Sequence, residues 1–219
     1  MKLNITLLFL FTSSCLLPIR SFAQTNAPGS TVTIGSQVWT AKNLAVTAFA
    51  NGDKIGQAQS NEEWLKAGNE KRAAWCYYEN DTEKGKMYGV LYNWFAVADL
   101  RGLIPKGWHV PSKAEWMTTA TTLGGVGDAG DKLKSSTGWQ TVSSIDRNGS
   151  NSSGFNGLPA GLRFAADGKF DALGIAGHFW TSTQHNGVSM QSVNIGIGHG
   201  IAFGPADMKF GYSIRLVKD

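Results

Sequence analysis

The pattern of apolar and polar positions predicts helices in the N-terminal half of the chain. Leu91, Trp94, Phe95 and Ala98 recur at helical spacing, so an apolar face predicts a helix over residues 88–99. A further turn of helix is expected at residues 131–135. Residues 75–78 are predicted to be a strand, and residues 79–81 an acidic turn.

Two capping boxes mark where other helices begin. Ser112 is followed three residues later by Glu115, and the two can satisfy each other's backbone donors. This helix should bury Trp116 and end at residues 124–125. Pro111 and Trp108 lie just before it, and we expect them to fix the preceding loop. Residues 60–63 form a second box, which predicts a short helix up to residue 68.

Alternation with a period of two predicts strands at both ends of the chain. Residues 31–39 are predicted to form a hairpin around Gly35 and Ser36. From residue 155 onward the pattern is that of β-structure, with hairpins across residues 167–168 and 185–187 and a closing strand at 211–217. Between them, residues 135–154 are rich in Ser, Thr, Asn and Gly and predict a long surface loop. Short helices early and antiparallel strands late predict an α+β fold.

The first 23 residues have the pattern of an export signal. Lys2 is followed by an apolar stretch and by a small-x-small cleavage site at residues 21–23. Residues 24–30 are expected to be a flexible leader, and residues 31–219 a single domain. We expect no transmembrane segment after residue 23. A lipoprotein acylated at Cys15 is the alternative to soluble export.

Charge and cysteine content narrow the partners and the chemistry. Removal of residues 1–23 leaves 18 basic and 16 acidic residues, and the longest basic run is Lys71–Arg72. This balance gives no electrostatic reason to expect nucleic acid as a partner. Cys76 is the one cysteine that remains, so no internal disulfide is expected. Eight tryptophans among 27 glycines indicate short strands, tight turns and loops fixed by aromatic side chains.

Ten short segments of the chain together resemble a known family, the Fibrobacter succinogenes major paralogous domain. They are IGSQVW (34–39), KNL (42–44), YGVLYNW (88–94), PKGWHVP (105–111), EW (115–116), LGG (123–125), AGDKLK (129–134), GFNGLPAG (154–161), FWTS (179–182) and SIRLV (213–217). The resemblance covers residues 31–219.

The resemblance implies a C-type-lectin-like fold and an exported, surface-associated bacterial protein. That fold group also contains the formylglycine-generating, sulfatase-modifying enzymes, whose Glu-Trp helix is similar to residues 108–125. Those enzymes rely on a pair of cysteines, whereas residues 24–219 hold only Cys76. The resemblance therefore implies a domain without a complete catalytic constellation.

Metal sites are weakly supported by the sequence. The four histidines do not form a zinc-binding spacing such as His-x-His. Ring atoms of His109 are expected to cap the local backbone. Calcium is the metal that we keep as an alternative, because Asp128 and Asp131 flank Gly130 and Asn80 adjoins Asp81. No other cofactor is expected.

A sugar-binding surface is the favoured candidate site. Trp139 lies in a polar loop where core packing does not require it, near Asn148, Asn151 and Asn156. Aromatic faces beside amides suit sugars, although Trp139 could instead fix its own loop. Trp180 is assigned to the core. Arg163 or Arg215 is expected to pair with Glu115.

The sequence thus predicts an exported, non-catalytic binding module of the cell surface, for adhesion or recognition. Carbohydrate is the expected partner and a cell-envelope protein the second. A sulfatase-modifying-type enzyme and a structural envelope protein remain as alternatives.

Overall fold

The computed structural model describes residues 29–219. The predicted signal peptide, Cys15 and residues 24–28 of the predicted leader lie outside the described residues. Five helices lie between residues 61 and 133: α1 Asn61–Asn69, α2 Thr82–Tyr88, α3 Trp94–Val97, α4 Lys113–Thr122 and α5 Ala129–Leu133. No helix within residues 29–219 is long and apolar enough to cross a membrane.

Twelve strands surround these helices. They are β1 Thr31–Ile34, β2 Gln37–Thr40, β3 Gly56–Gln57, β4 Ala74–Cys76, β5 Leu91–Tyr92, β6 Trp108–His109, β7 Ala160–Arg163, β8 Phe170–Leu173, β9 Gly177–Gln184, β10 Ser189–Ile195, β11 Ile201–Asp207 and β12 Val217–Lys218. The predicted α+β composition is therefore present. The prediction that strands gather late was incomplete, because six of them precede residue 110.

The strands form three sheets, and the first joins the two ends of the described chain. Its order is β1-β2-β12-β6, with Val217 opposite Trp39. The second sheet, β11-β10-β9-β7-β8, is antiparallel except where β7 runs parallel to β9. The third is the small sheet β3-β4-β5. The N-terminal hairpin, the β7–β8 hairpin and the β9–β10 hairpin were all predicted correctly.

The predicted helix over residues 88–99 was wrong except for the last residue of α2 and the single turn of α3. Leu91 and Tyr92 form strand β5, and the Tyr92 backbone N–H donates to the Tyr212 carbonyl at 2.9 Å. Asn93 then caps the single-turn helix α3, and its Oδ1 accepts hydrogen bonds from the N–H groups of Ala96 and Ala74. Long-range strand pairing therefore replaces helical bonds across a segment with helical spacing.

Several elements were missing from the predictions, among them α2 and β11. Asp81 begins α2 and does not form a simple turn, because its Oδ1 accepts from the Glu83 N–H at 2.8 Å. Strand β4 accordingly ends at Cys76, two residues before the predicted end. Strand β11 pairs with β10 over seven residues. It contains Pro205, which is tolerated because β11 is an edge strand.

The helix predicted from the capping box is confirmed as α4. Ser112 Oγ accepts from the Glu115 N–H at 3.2 Å, and Glu115 Oε2 accepts from the Ser112 N–H at 2.7 Å. The helix buries Trp116 completely, with its ring centroid 4.7 Å from that of Trp39. Trp180, also assigned to the core, is fully buried and donates through Nε1 to the Tyr92 carbonyl at 2.8 Å.

Candidate functional site

Trp139 does not lie on an open binding surface. Its side chain is 5% exposed, and Nε1 donates to Ser135 Oγ at 3.1 Å. The Lys134 ammonium lies 5.4 Å from the ring centroid, over one face. The expectation that packing does not require Trp139 is thus wrong. A polar loop can still bury a tryptophan when the loop folds back onto the sheets, as residues 135–154 do.

The three asparagines grouped with Trp139 stabilise the backbone. Asn148 Oδ1 accepts from the Trp139 N–H at 3.0 Å, and Asn151 Oδ1 accepts from the Asn156 N–H at 2.8 Å. Asn151 and Asn156 both adopt positive φ angles, of 49° and 54°. Asparagine tolerates this conformation better than most residues. Asn156 differs from Asn148 and Asn151 because it also lines a cleft.

That cleft combines aromatic and charged side chains in one concave surface. Its volume is about 350 Å³, within the range of ligand pockets. We call it the Tyr77–Tyr88 cleft. Its walls come from the segment after β2, from Tyr77, from the C-terminal half of α2 and from the segment before β7, and the lining residues are Lys42, Asn43, Ala45, Tyr77, Gly85, Lys86, Met87, Tyr88, Gly89, Asn156 and Leu158.

Arg215 fixes two walls of this cleft from behind. Its Nε donates to Asn43 Oδ1 at 2.7 Å, and its Nη2 donates to the Asn156 carbonyl at 2.9 Å. Asn43 Nδ2 in turn donates to the Tyr88 carbonyl at 2.9 Å. One buried guanidinium therefore links the segment after β2 to the segment before β7, and Asn43 extends the link to the end of α2.

The predicted ion pair between Arg215 or Arg163 and Glu115 is wrong. Both guanidinium groups are fully buried and donate mainly to backbone carbonyls, those of Thr40 and Phe155 for Arg215 and of Ala58, Ser60 and Gly168 for Arg163. Burial lowers the pKa of Arg215 to about 9, which leaves it charged at neutral pH. Cation–π contact with Phe155, 4.3 Å from the guanidinium, adds to its stabilisation.

The two tyrosines present aromatic surface to the cleft. Tyr77 packs against Gly85, where a Cβ atom would lie 2.2 Å from the tyrosine ring. Tyr88 ends α2, and Gly89 follows it with a φ of 83°. Both tyrosines are half-buried and line the cleft. A half-exposed ring beside amides and ammonium groups suits an amphipathic ligand.

Glu115 pairs with His109, not with an arginine. His109 Nε2 lies 2.7 Å from Glu115 Oε1, and Nδ1 lies 2.6 Å from Asp219 Oδ1. The prediction that the ring caps local backbone was therefore wrong. Trp108 is half-buried and packs against the hydrophobic core. Pro111 is buried, and its carbonyl accepts a hydrogen bond from the Ser182 N–H at 3.0 Å. These residues stabilise the entry to α4.

Two of the four candidate calcium ligands, Asp131 and Asp81, have carboxylates that are engaged by protein groups. Asp131 Oδ1 lies 2.9 Å from the buried Lys134 ammonium, and its other oxygen contacts His199. Asp81 caps α2, and Asn80 Nδ2 donates to the Gln59 carbonyl. Within residues 29–219, no three His, Cys, Asp or Glu side chains converge to hold a metal ion.

Cys76 is poorly placed for chemistry. Its side chain is fully buried in β4, and burial raises the pKa of the thiol to about 11. A thiolate is the reactive form of cysteine, and this environment suppresses it.

Part of the cleft could have been found from the sequence. Asn156 was a predicted ligand residue, and KNL, YGVLYNW and GFNGLPAG all contribute lining residues. Lys86 and Tyr77 were missed as site residues, because the positions of both side chains depend on α2 and no helix was predicted over residues 82–87. No sequence pattern indicated that these distant segments meet.

The chain belongs to the Fibrobacter succinogenes major domain family, whose sequence profile matches residues 32–218. The predicted family membership is therefore confirmed. A search of curated proteins found no match. A search of solved structures found none either.

Proposed function

We propose that this member of the Fibrobacter succinogenes major domain family is an exported, non-catalytic module that binds carbohydrate in the Tyr77–Tyr88 cleft. The observation that carries the proposal is the placement of two half-buried tyrosines, Asn156 and two lysines around one cavity of about 350 Å³. Sugars present both C–H faces and hydroxyl groups, which match tyrosine rings and polar side chains respectively.

Carbohydrate is favoured over a protein partner by the shape of the site. A stable protein interface buries roughly 800 Å² on each partner and is usually broad. The Tyr77–Tyr88 cleft is concave and small, so it suits a ligand of one or a few sugar units. A cell-envelope protein could still carry such sugars, and the module would then act in adhesion.

We further propose a C-type-lectin-like arrangement for this domain. It is supported by the pairing of β12 with β2, which brings the start and end of the described chain together. It is also supported by the antiparallel sheet β9–β10–β11 that follows the helices. Export is proposed from the sequence of residues 1–23.

A non-catalytic role agrees with the state of Cys76. Enzymes of the sulfatase-modifying type need a reactive cysteine pair, whereas Cys76 is buried with a raised thiol pKa. A purely structural envelope protein would not need an open cleft with accessible aromatic faces. We therefore favour binding over both alternatives.

The proposal is tested by affinity electrophoresis of the purified protein against a panel of neutral and acidic polysaccharides. We expect Tyr77→Ala and Tyr88→Ala each to weaken binding at least ten-fold, because each removes part of the aromatic surface. Met117→Ala is the matched control, since Met117 is 38% exposed on α4 and does not line the cleft. Thermal unfolding verifies that each variant is folded.

Each binding measurement is repeated with calcium and with EDTA. Equal affinities are expected, because no carboxylate lines the cleft. The proposal fails if no polysaccharide binds, or if folded Tyr77→Ala and Tyr88→Ala variants bind as the unaltered protein does.

A further inference from the structure

The charged groups that line the Tyr77–Tyr88 cleft are all positive. Lys42 and Lys86 are both exposed, and no aspartate or glutamate is among the lining residues. Within residues 29–219, no carboxylate lies within ion-pair distance of the Lys42 ammonium. Asn43 also lines the cleft, and its side chain is already hydrogen-bonded to Arg215, Tyr88 and Ser213.

The carboxylate of Glu83, which pairs with Lys86, would compete only weakly with a ligand carboxylate for that lysine. Glu83 Oε1 lies 2.7 Å from the Lys86 ammonium, but the two side chains are 76% and 68% exposed. An exposed pair of this kind contributes little, because water screens both charges. A ligand carboxylate in the cleft can therefore exchange with Glu83 as the partner of Lys86.

The C-terminal end of α2 also faces the cleft and carries partial negative charge. A helix terminus is equivalent to about half an elementary charge, and its effect fades within one turn. Moreover, the Tyr88 carbonyl is already bonded to the Asn43 amide. The full charge of Lys42, which has no carboxylate within ion-pair distance in the described residues, outweighs this contribution, and Lys86 adds positive charge when a ligand displaces Glu83.

We propose that the Tyr77–Tyr88 cleft selects acidic glycans, with Lys42 and Lys86 binding sugar carboxylates while Tyr77 and Tyr88 contact the rings. This inference rests on the proposed carbohydrate-binding function and specifies its ligand class. The mature chain is nearly neutral, so the selectivity comes from the local arrangement and not from overall charge.

The test compares two probes with the same sugar backbone, trigalacturonate and its trimethyl ester, by isothermal titration calorimetry with the purified protein. Esterification removes the charges and keeps the rings. We expect the acid to bind about ten-fold more tightly than the ester at low salt, and we expect the difference to shrink as salt is added. Acetate at matched carboxylate concentration should not displace the acid, because it lacks the rings.

Variants assign the selectivity to named side chains. Lys42→Gln and Lys86→Gln should each weaken binding of the acid about three- to five-fold and thereby reduce its preference over the ester. Lys42→Arg should retain the preference, since it keeps the charge. Glu83→Gln should strengthen binding of the acid about two- to five-fold, because it releases Lys86. Lys106→Gln, an exposed lysine outside the cleft, is the control.

The outcomes separate this inference from the proposed function. Equal binding of acid and ester, abolished in both cases by Tyr77→Ala, would overturn charge selection and leave carbohydrate binding standing. A preference for the acid that persists in the Lys42→Gln/Lys86→Gln double variant would overturn the assignment to these lysines. If neither these probes nor any polysaccharide of the panel binds, both proposals are wrong.

Discussion

At the scale of single residues, buried cations organise much of this protein. Arg215, Arg163 and Lys134 are each at most 2% exposed. The charges of the two arginines are stabilised by carbonyl dipoles and aromatic faces, whereas Lys134 also pairs with Asp131. A buried charge is costly unless every donor finds an acceptor. These side chains therefore specify the path of several loops at once, which no single hydrophobic residue could do.

The burial of Trp139 leads to a stability prediction. Trp139→Ala should lower the free energy of unfolding by about 3–5 kcal/mol, because it leaves a cavity and removes the ring beneath Lys134. Urea denaturation measures this loss. Ile145→Ala, at a 53% exposed position in the same loop, is the control and should change stability by less than about 0.5 kcal/mol. A loss below about 1 kcal/mol for Trp139→Ala would show that the ring is not part of the core.

At the scale of elements, capping was a better guide than periodicity. The capping box at Ser112 located α4 correctly, since a cap depends only on neighbouring backbone groups. The apolar spacing of residues 91–98 was misleading. Of the four residues at that spacing only Leu91 is buried and Ala98 is exposed, because a strand, a cap and a single helical turn follow one another in this segment.

The contact between α2 and Tyr77 predicts an unusual response to alanine. Glycine to alanine inside a helix normally stabilises it by about 1 kcal/mol. Gly85→Ala should instead destabilise the protein by about 1–3 kcal/mol, because the new methyl group would overlap the Tyr77 ring.

A double-mutant cycle in urea distinguishes this clash from other causes. Adding Tyr77→Ala removes the overlap, so Gly85→Ala should become neutral or stabilising in that background, with a coupling of at least about 1 kcal/mol. If Gly85→Ala alone raises stability, the close packing of α2 on Tyr77 is wrong.

At the scale of the whole molecule, two histidines that join distant segments have opposite effects on the way folding stability depends on pH. Burial lowers the pKa of His178 to about 4, although Asp171 opposes the shift. For His109, burial disfavours the charge, but hydrogen bonds with Asp219 and Glu115 raise its pKa above the ordinary value. His178 thus favours folding when neutral, and His109 when charged.

These shifts predict a maximum of stability near pH 6.5, the ordinary pKa of histidine in the unfolded chain. The contribution of His178 is complete above pH 6.5 and is lost as the pH falls toward 4, on the order of 1–2 kcal/mol at pH 5. The contribution of His109 is complete below pH 6.5 and is lost as the pH rises through its raised pKa.

Urea unfolding between pH 5 and pH 8 tests the acid and the alkaline side of this stability profile. His178→Gln should flatten the acid side of the profile and His109→Gln the alkaline side. An acid side that is unchanged in His178→Gln would contradict the assignment.

The sequence by itself determined the family, the mixed composition, the three hairpins and the start of α4. Each of these depends on local rules, such as turn residues, caps and alternation, or on a set of short motifs read in order. It also singled out Asn156, which lines the Tyr77–Tyr88 cleft. The remaining ligand predictions could not be settled locally, because a polar loop does not reveal whether its tryptophan folds inward.

The tertiary structure alone decided where those pieces meet. Strand β5 replaced the predicted helix because Tyr92 pairs with Tyr212, 120 positions along the chain. The Tyr77–Tyr88 cleft exists because Arg215 joins segments that lie 172 and 59 positions away from it. Such contacts depend on the packing of the complete chain, and their energies outweigh the local preferences that the sequence pattern records.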